Sequence, residues 1–366
     1  MQITHTDIYK YSIPMVPFTI ATGTMDFAQN IFIQLHTDDG LIGVGECSAF
    51  PMITGETQNT CFELAQDFAS LWKHKNTSDI KERLIELDQF IAFNHTIKSA
   101  FDMALYDLAS KRANLPLYQY LGGKKMKTIE TDITIGIGAP QFMAAQALAF
   151  IQEGFNCIKV KLGKKPKDDI ARIQAIRQSV GMDIEIRIDA NQGWTFEDAG
   201  HVLTSLHAYG IAFCEQPLHK RDDYLLPALK KISPIAIMAD ESVFNHYDAM
   251  RLIDTNSCSM VNIKFAKTGG IAEAIKVHDV CHNNSIPCMM GGMLESRVAA
   301  TAFAHFATAM DNIINFDMDT CMLGHKIDPV IGGITYDGAT IFLPEGIGIG
   351  ANVDETYLSN LAHICI

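Results

Sequence analysis

Between Cys157 and Asp319 the chain repeats one unit, and that repetition restricts the fold more than any other feature. Seven short apolar runs each end in one or two polar residues at an equivalent point: CIKVKLG (157–163), EIRIDANQ (185–192), IAFCEQP (211–217), IAIMADES (235–242), MVNIKFAK (260–267), CMMGGMLES (288–296) and INFDMDT (314–320). Short apolar, β-branched runs of this kind read as parallel strands buried on both faces. Segments of helical period, about 12–15 residues long, separate most of them, so the unit is βα. Such units close into a barrel whose active site lies at the C-terminal strand ends, where these polar residues collect.

At 366 residues, one barrel of roughly 200–250 residues leaves about a hundred for a second unit. Near the N-terminus ITHTDIYKYSI and NIFIQLHT alternate, and the Asp39-Gly40 turn leads into LIGVGEC, which predicts a meander of strands. Helices follow, ending at Pro116 and Gly122-Gly123. Strands followed by helices indicate an α+β unit rather than α/β. A basic connector at Lys124–Lys127 marks the change of composition. The expected organisation is an α+β capping domain over residues 1–125, completed by a C-terminal tail from about 340–366. A barrel over 126–339 would open with the strand TIETDITIGI (128–137). Two segments, 17–29 and 47–57, read as loops, the first of them mobile.

A net charge of −13 argues against a nucleic-acid partner, which would need clustered Lys and Arg. The nine cysteines form no CxxC and no regular spacing, so neither a disulfide framework nor a zinc site is expected, and a reducing compartment is. The N-terminus lacks the basic and apolar regions of a signal peptide, and no window approaches 18 consecutive apolar residues. A cytoplasmic protein without a membrane partner is the expectation. His5, His36, His95 and the other histidines show no motif spacing and read as surface or core residues.

Three strand ends offer a carboxylate: Asp189, Glu215 and Asp240, spaced 26 and 25 residues apart. That is the length of one βα unit, so consecutive strands set them side by side on one rim. Converging carboxylates repel each other unless a hard divalent cation lies between them, and oxygen-only ligands suit Mg²⁺. Capping of the following helices is the alternative role for such acids. Lys159 and Lys161 alternate along one strand and face the same way, while Lys264 occupies the matching place across the barrel. A desolvated lysine near a metal can have its pKa lowered to roughly 7–8, suitable for a general base.

KVK (159–161), DAN (189–191), EQP (215–217), DES (240–242) and NIK (262–264) resemble the enolase superfamily, in its muconate-lactonizing enzyme subgroup. The likeness spans nearly the whole chain, including SAFDMALYDLA. It implies a modified (β/α)₇β barrel with an N-terminal α+β capping domain, and one Mg²⁺ per active site on Asp189, Glu215 and Asp240. It also implies Lys161 and Lys264 on opposite faces of a substrate α-carbon, with Lys159 beside the substrate carboxylate. A lysine on each face permits 1,1-proton transfer through an enolate, which is racemisation or epimerisation.

Asp317 and Asp319, in FDMD, resemble the pair that binds the α-ammonium of the substrate in dipeptide epimerases. Thr134 and the Gly292-Met293-Leu294 turn match positions that line the dipeptide in that family. Familiar L-Ala-D/L-Glu epimerases carry an Arg in the first loop; Gly23 stands at the corresponding place here, and no Arg occurs in residues 1–82. Phe18, Met25, Phe27, Phe50, Met52 and Ile53 suggest an apolar side-chain pocket, with Asp26 and Glu56 leaving room for a cationic substrate. The resemblance therefore implies a Mg²⁺-dependent isomerase, a homo-oligomer that epimerises neutral or hydrophobic dipeptides such as Ala-Ala rather than Ala-Glu. An N-acylamino-acid racemase or o-succinylbenzoate synthase of the same subgroup is the alternative, although neither needs an ammonium site. A non-catalytic barrel that binds small acids is a more distant one.

Overall fold

A computed structural model describes all residues, 1–366. The strand Ile3–Ile20 pairs antiparallel with Gly23–Thr37 along most of its length, and Gly23–Thr37 pairs in turn with Ile42–Ser48. The last strand of the chain, His363–Cys365, adds to the outer edge of the first. Helices Gln58–Trp72 and His95–Arg112 cover one face, burying Ile8, Ile33, Phe68, Trp72, Phe101 and Leu105 against it. Gly45 allows the second helix to lie directly on the sheet, because a Cβ there would run into the Ala100 carbonyl.

That helix has no cap of its own: Asn94 sits at φ 54° and makes no capping bond. Glu56 supplies one from a distance, Oε1 accepting from the Thr96 N–H (2.8 Å) and Oε2 from the Ile97 N–H (3.2 Å). Glu56 is buried in this role, so it is not available to a cationic substrate.

Eight parallel strands follow: Ile133–Ile135, Cys157–Lys161, Glu185–Asp189, Ile211–Glu215, Ala236–Ala239, Met260–Ile263, Cys288–Gly291 and Ile313–Asp317. They are hydrogen-bonded in sequence order, with a helix between each successive pair, which makes a (β/α)₇β barrel. The seam between first and last strands closes through the Asp132 N–H to the Phe316 carbonyl (3.2 Å) and the Thr134 N–H to Asp319 Oδ2 (2.6 Å). Phe213, Met238 and Met289 fill the interior, with the Arg187 guanidinium 5.4 Å above the Phe213 ring.

Two sequence expectations change. The run 128–137 is not one strand: Ile129–Glu130 pairs with Thr340–Phe342 in a separate three-stranded sheet, and only Ile133–Ile135 enters the barrel. The break falls at Asp132, whose buried carboxylate pairs with Arg187 at 3.0 Å. Segment 17–29 is not a mobile loop but the end of the long hairpin, turning at Ala21-Thr22. Its tip is held on the barrel, where the Ile137 N–H donates to the Thr19 carbonyl (2.9 Å) and Lys164 Nζ to the Ala21 carbonyl (2.6 Å). Segment 47–57 contains a short helix, Pro51–Thr54. All nine cysteines are free, and no helix is long and apolar enough to cross a membrane.

Candidate active site

Asp189 and Glu215 each end a strand and stand opposite each other in register, and Asp240 follows directly on the next strand. The backbone turns sharply beyond them: Asn191, Gln192 and Gln216 have φ of 39°, 67° and 35°, a region that costs energy for residues with a side chain. Local hydrogen bonds hold these turns. The Gln192 N–H donates to the Gln216 carbonyl (2.9 Å), and Gln216 Oε1 accepts from the N–H groups of Asp240 (2.9 Å) and Ser242 (3.2 Å). Gln216 thus ties the backbone of one acid to the strand of another.

Each acid faces a lysine. Lys161 Nζ lies 2.6 Å from Asp189 Oδ2, and Lys264 Nζ 2.9 Å from Asp240 Oδ2. Lys159 Nζ, fully buried, lies 2.6 Å from Glu215 Oε2, 2.6 Å from Asp317 Oδ2 and 3.3 Å from Asp189 Oδ2. Lys267 also reaches Asp240. Burial pushes the Asp189 and Asp240 pKa values up, but the facing lysines outweigh it and hold both carboxyls below the usual range. Burial, reinforced by Asp189, pushes Glu215 up to about 7. Glu241, buried beside Asp240, is pushed to about 8.

The sequence led us to expect a lowered lysine pKa. Burial does act in that direction on Lys264, yet Asp240 and Glu215 reverse it and hold its ammonium above the ordinary lysine range. The cause is the uncompensated charge of the carboxylates, so a cation shared among those acids would remove the reversal.

The donor set fits such a cation. Asn191 Oδ1, Glu241 Oε2 and Asn262 Oδ1 are buried and accept no hydrogen bond, while Glu215 Oε2 and Asp240 Oδ1 face only the ammonium groups of Lys159 and Lys267. Buried acceptors are normally satisfied, and this all-oxygen set, with no thiolate or imidazole in it, suits a hard divalent ion. Asp189, Glu215 and Asp240 are the residues that would hold Mg²⁺.

A cavity of about 270 Å³ opens between the hairpin and the barrel. Thr134, Lys161, Lys264, Gly292, Met293, Leu294, Asp317, Asp319 and Phe18, all singled out from the sequence, line it. Lys161 ends the second of eight strands and Lys264 directly follows the sixth, so they approach from opposite sides. Near the seam, one carboxylate oxygen each from Asp132, Asp317 and Asp319 lie within 4.8 Å of one another. Burial acts against the Asp317 carboxylate, but Lys159, Lys161 and Lys264 hold its pKa near 2; burial and Asp317 raise that of Asp319 to about 6.

Other expected residues lie elsewhere. Lys159 is buried among the acids and does not line the cavity. Gly23 and Ile53 are outside the lining, as are Met25, Phe27, Phe50 and Met52; Phe27 and Met52 are exposed instead. The alternation of the hairpin strand turns Phe27 outward, and Ile53 packs into the core from its short helix. The apolar wall comes from Met15, Val16 and Phe18 of the hairpin and from Ile137, Phe142 and Phe150 of the barrel. Sequence reasoning missed most of this wall, together with Asp132 and Glu241. The alternation of Asp132 with Thr134 was the available signal for the first of them.

These features define a metal-assisted proton-transfer barrel. Residues 142–357 match the enolase C-terminal domain-like family, and residues 3–122 match the mandelate racemase / muconate lactonizing enzyme N-terminal domain. The chain belongs to this group of the enolase superfamily. It is 42% identical, over 100% of both chains, to the D-Ala-D/L-Ala epimerase of Cytophaga hutchinsonii. The crystal structure of the dipeptide epimerase from that organism, complexed with Mg and D-Ala-L-Val, superposes with a TM-score of 0.98 over 100% of both chains at 42% identity. The hydrophobic dipeptide epimerase of Enterococcus faecalis is 40% identical over 91% of this chain and 94% of its own. The N-succinyl-L-Arg/Lys racemase of Bacillus cereus is 32% identical over 99% and 98%.

Proposed function

We propose that this protein is a Mg²⁺-dependent dipeptide epimerase that inverts the α-carbon of the C-terminal residue of neutral or hydrophobic dipeptides. The observation that carries the reading is the acidic group at the seam. Asp317 and Asp319 place two carboxyl groups at one end of the cavity, which suits the α-ammonium of a free dipeptide and disfavours an N-succinyl group. The wall of Met15, Val16, Phe18, Phe142 and Phe150 suits an apolar side chain. Apart from Lys161 and Lys264, no cationic residue lines the cavity to meet a glutamate side chain.

In this reading Lys161 and Lys264 bracket the α-carbon. One amine takes the α-proton; the opposite ammonium donates its own to the other face of the same carbon. The net change is one inverted centre and a proton moved from one lysine to the other. Bound Mg²⁺ supplies Lewis-acid stabilisation of the charge that develops on the substrate carboxylate. Asp317 and Asp319 hold the ammonium end, and the hairpin shields the reacting centre from water.

Proton exchange in D₂O with Mg²⁺, followed by NMR, tests the proposal with Ala-Ala, Ala-Phe, Ala-Glu and N-succinyl-Phe. Deuterium should enter the C-terminal residue of Ala-Ala and Ala-Phe and stop on addition of EDTA. Exchange confined to N-succinyl-Phe would transfer the assignment to the acylamino-acid racemases, which the Bacillus cereus relative keeps open. The reading also includes a cytoplasmic location, in keeping with nine free cysteines, and a homo-oligomer, which light scattering would measure.

A further inference from the structure

The cavity continues past the two lysines into an arm at the edge of the barrel. The last barrel strand, Ile313–Asp317, is followed by a helix of only four residues, Thr320–Leu323, so no long helix follows it as one follows the other strands. Across the seam stands helix Pro140–Gln152, which follows the first strand. Its buried face carries Met143 and Ala147, while Phe142, Gln146 and Phe150 line the cavity. Residues four apart share one face of a helix, and eight residues at a rise of 1.5 Å span ~12 Å. The arm is therefore about two helical turns deep. Val16, Leu323 and Gly324 complete it. That side is fixed, because the Val16 N–H donates to the Gly324 carbonyl and the Lys326 N–H to the Pro14 carbonyl, both at 2.8 Å.

One polar side chain of the lining is unspent. Lys161, Lys264 and Asp317 are held by the ion pairs described above, and the Thr134 hydroxyl hydrogen-bonds Asp319. Thr19 Oγ1 lies 2.8 Å from Thr24 Oγ1, and the Thr320 hydroxyl donates to the Met293 carbonyl (3.1 Å). Gln146 is half-buried, with Phe142 one turn before it and Phe150 one turn after, and its carboxamide has no hydrogen-bond partner in the protein. A leucine would fill that place in an apolar arm equally well. The carboxamide adds a donor and an acceptor for whatever enters.

The walls of the arm are the helix after the first strand and the segment after the last, so it opens at the seam where Asp319 accepts the Thr134 N–H. In the dipeptide-epimerase reading, on which this inference rests, Asp317 and Asp319 hold the α-ammonium there. The carbon that bears the ammonium also bears the N-terminal side chain, whereas the C-terminal side chain leaves the carbon between Lys161 and Lys264. We propose that the arm is the subsite of the N-terminal side chain, and that Gln146 is a specificity-determining residue that selects an aromatic ring bearing a hydroxyl, an N-terminal tyrosine. Phe142 and Phe150 offer ring faces and edges to an aromatic guest. Gln146 lies ~6 Å along the helix from Phe142, where its carboxamide meets the phenolic hydroxyl. N-terminal phenylalanine fills the same space but strips Gln146 of water without replacing the lost hydrogen bond. N-terminal alanine leaves the arm to solvent.

The test follows deuterium entry into the C-terminal residue by NMR, with the full chain in saturating MgCl₂ and Ala-Ala, Phe-Ala, Tyr-Ala, Ala-Phe, Ala-Tyr and N-succinyl-Phe as substrates. The wild type should favour Tyr-Ala over Phe-Ala about tenfold in kcat/KM, the scale of one neutral hydrogen bond, and Phe-Ala over Ala-Ala. Gln146→Leu, which keeps the size of the side chain, should bring the Tyr-Ala to Phe-Ala ratio to about one and leave the Ala-Tyr to Ala-Phe ratio where it was. A Tyr-Ala to Phe-Ala ratio that ignores the substitution would overturn the role of Gln146. A shift in the Ala-Tyr to Ala-Phe ratio instead would give the arm to the C-terminal residue, and faster turnover of Ala-Ala than of both aromatic substrates would remove the subsite. Each of these three results leaves the epimerase reading standing. Exchange with N-succinyl-Phe alone, or with none of the six, would overturn that reading and the subsite together.

Discussion

Lys159 Nζ lies 2.6 Å from Asp317 Oδ2, and this contact joins the cation carboxylates to the far end of the cavity. The same ammonium is 2.6 Å from Glu215 Oε2. Lys159 therefore compensates buried charge at both ends of the site. Replacing it with Met should destabilise the magnesium-free protein by about 3–5 kcal/mol, as for removal of one partner of a buried ion pair. Mg²⁺ should recover much of that loss and should bind more tightly than in the wild type, because a competing cation has gone. Denaturant unfolding with and without Mg²⁺ measures both effects; an equal destabilisation in the two conditions would contradict them.

Lys161 and Lys264 approach from opposite sides, so their loss should be asymmetric. Lys161→Ala and Lys264→Ala should each reduce epimerisation by about 10²–10⁴-fold. Each should retain slow α-deuterium exchange with only one C-terminal enantiomer, and not the same one. NMR of separate L,L and L,D dipeptides in D₂O reads this directly.

Asp319 accepts the Thr134 N–H at 2.6 Å, and burial, with the approach of Asp317, raises its pKa. Asp319→Asn keeps an acceptor but removes a charge. The KM for Ala-Ala should rise by roughly ten- to a hundredfold, the scale of one charge-assisted hydrogen bond, with a smaller change in kcat. A fall in kcat at constant KM would place the residue in the chemical step instead.

Gly23 lies on the hairpin beyond the turn, where a Cβ would meet only the flexible side chain of Met52, with its sulfur at 3.3 Å. Gly23→Arg should therefore fold. If the hairpin governs selectivity, the ratio of kcat/KM for Ala-Glu over Ala-Ala should increase about tenfold, or ~1.4 kcal/mol. An unchanged ratio would mean that residue 23 has no access to the substrate.

His305 supplies a pH dependence remote from the catalytic groups. Its Nδ1 accepts the Tyr118 N–H (3.2 Å), and its Nε2 must donate to the Ile349 carbonyl (3.0 Å), so the buried ring is neutral. Burial lowers its pKa from 6.5 to about 4. The unfolded chain takes up the proton near 6.5 and the folded one only near 4, so this contribution is complete above the first value and is lost as pH falls to the second. At ~1.4 kcal/mol per pH unit the loss approaches about 3 kcal/mol. His305→Gln, which cannot titrate, should unfold with a shallower dependence on pH over that interval.

The barrel was legible because its strands are buried on both faces and read as unbroken apolar runs, with the functional acids at their ends. The convergence of Asp189, Glu215, Asp240, Lys161 and Lys264 at one end of the barrel could be read from that regularity together with the family likeness. Asp132 had only its alternation with Thr134 to mark it, since the barrel strand beside it is three residues long, Ile133–Ile135. Phe142 and Phe150 sit on a helix whose apolar period reads as core, although both face the cavity. Glu56 looked like a loop acid because the helix end that it caps begins forty residues later.

The hairpin that ends at Ala21-Thr22 crosses from one unit to the other, rooted in the cap sheet and fastened at its tip to the barrel by Thr19 and Ala21. Its strand contributes part of the apolar wall but neither an acid of the cation site nor either lysine of the proton relay. A lineage that acquires a new diet can therefore rewrite this ribbon while its inherited reaction stays intact.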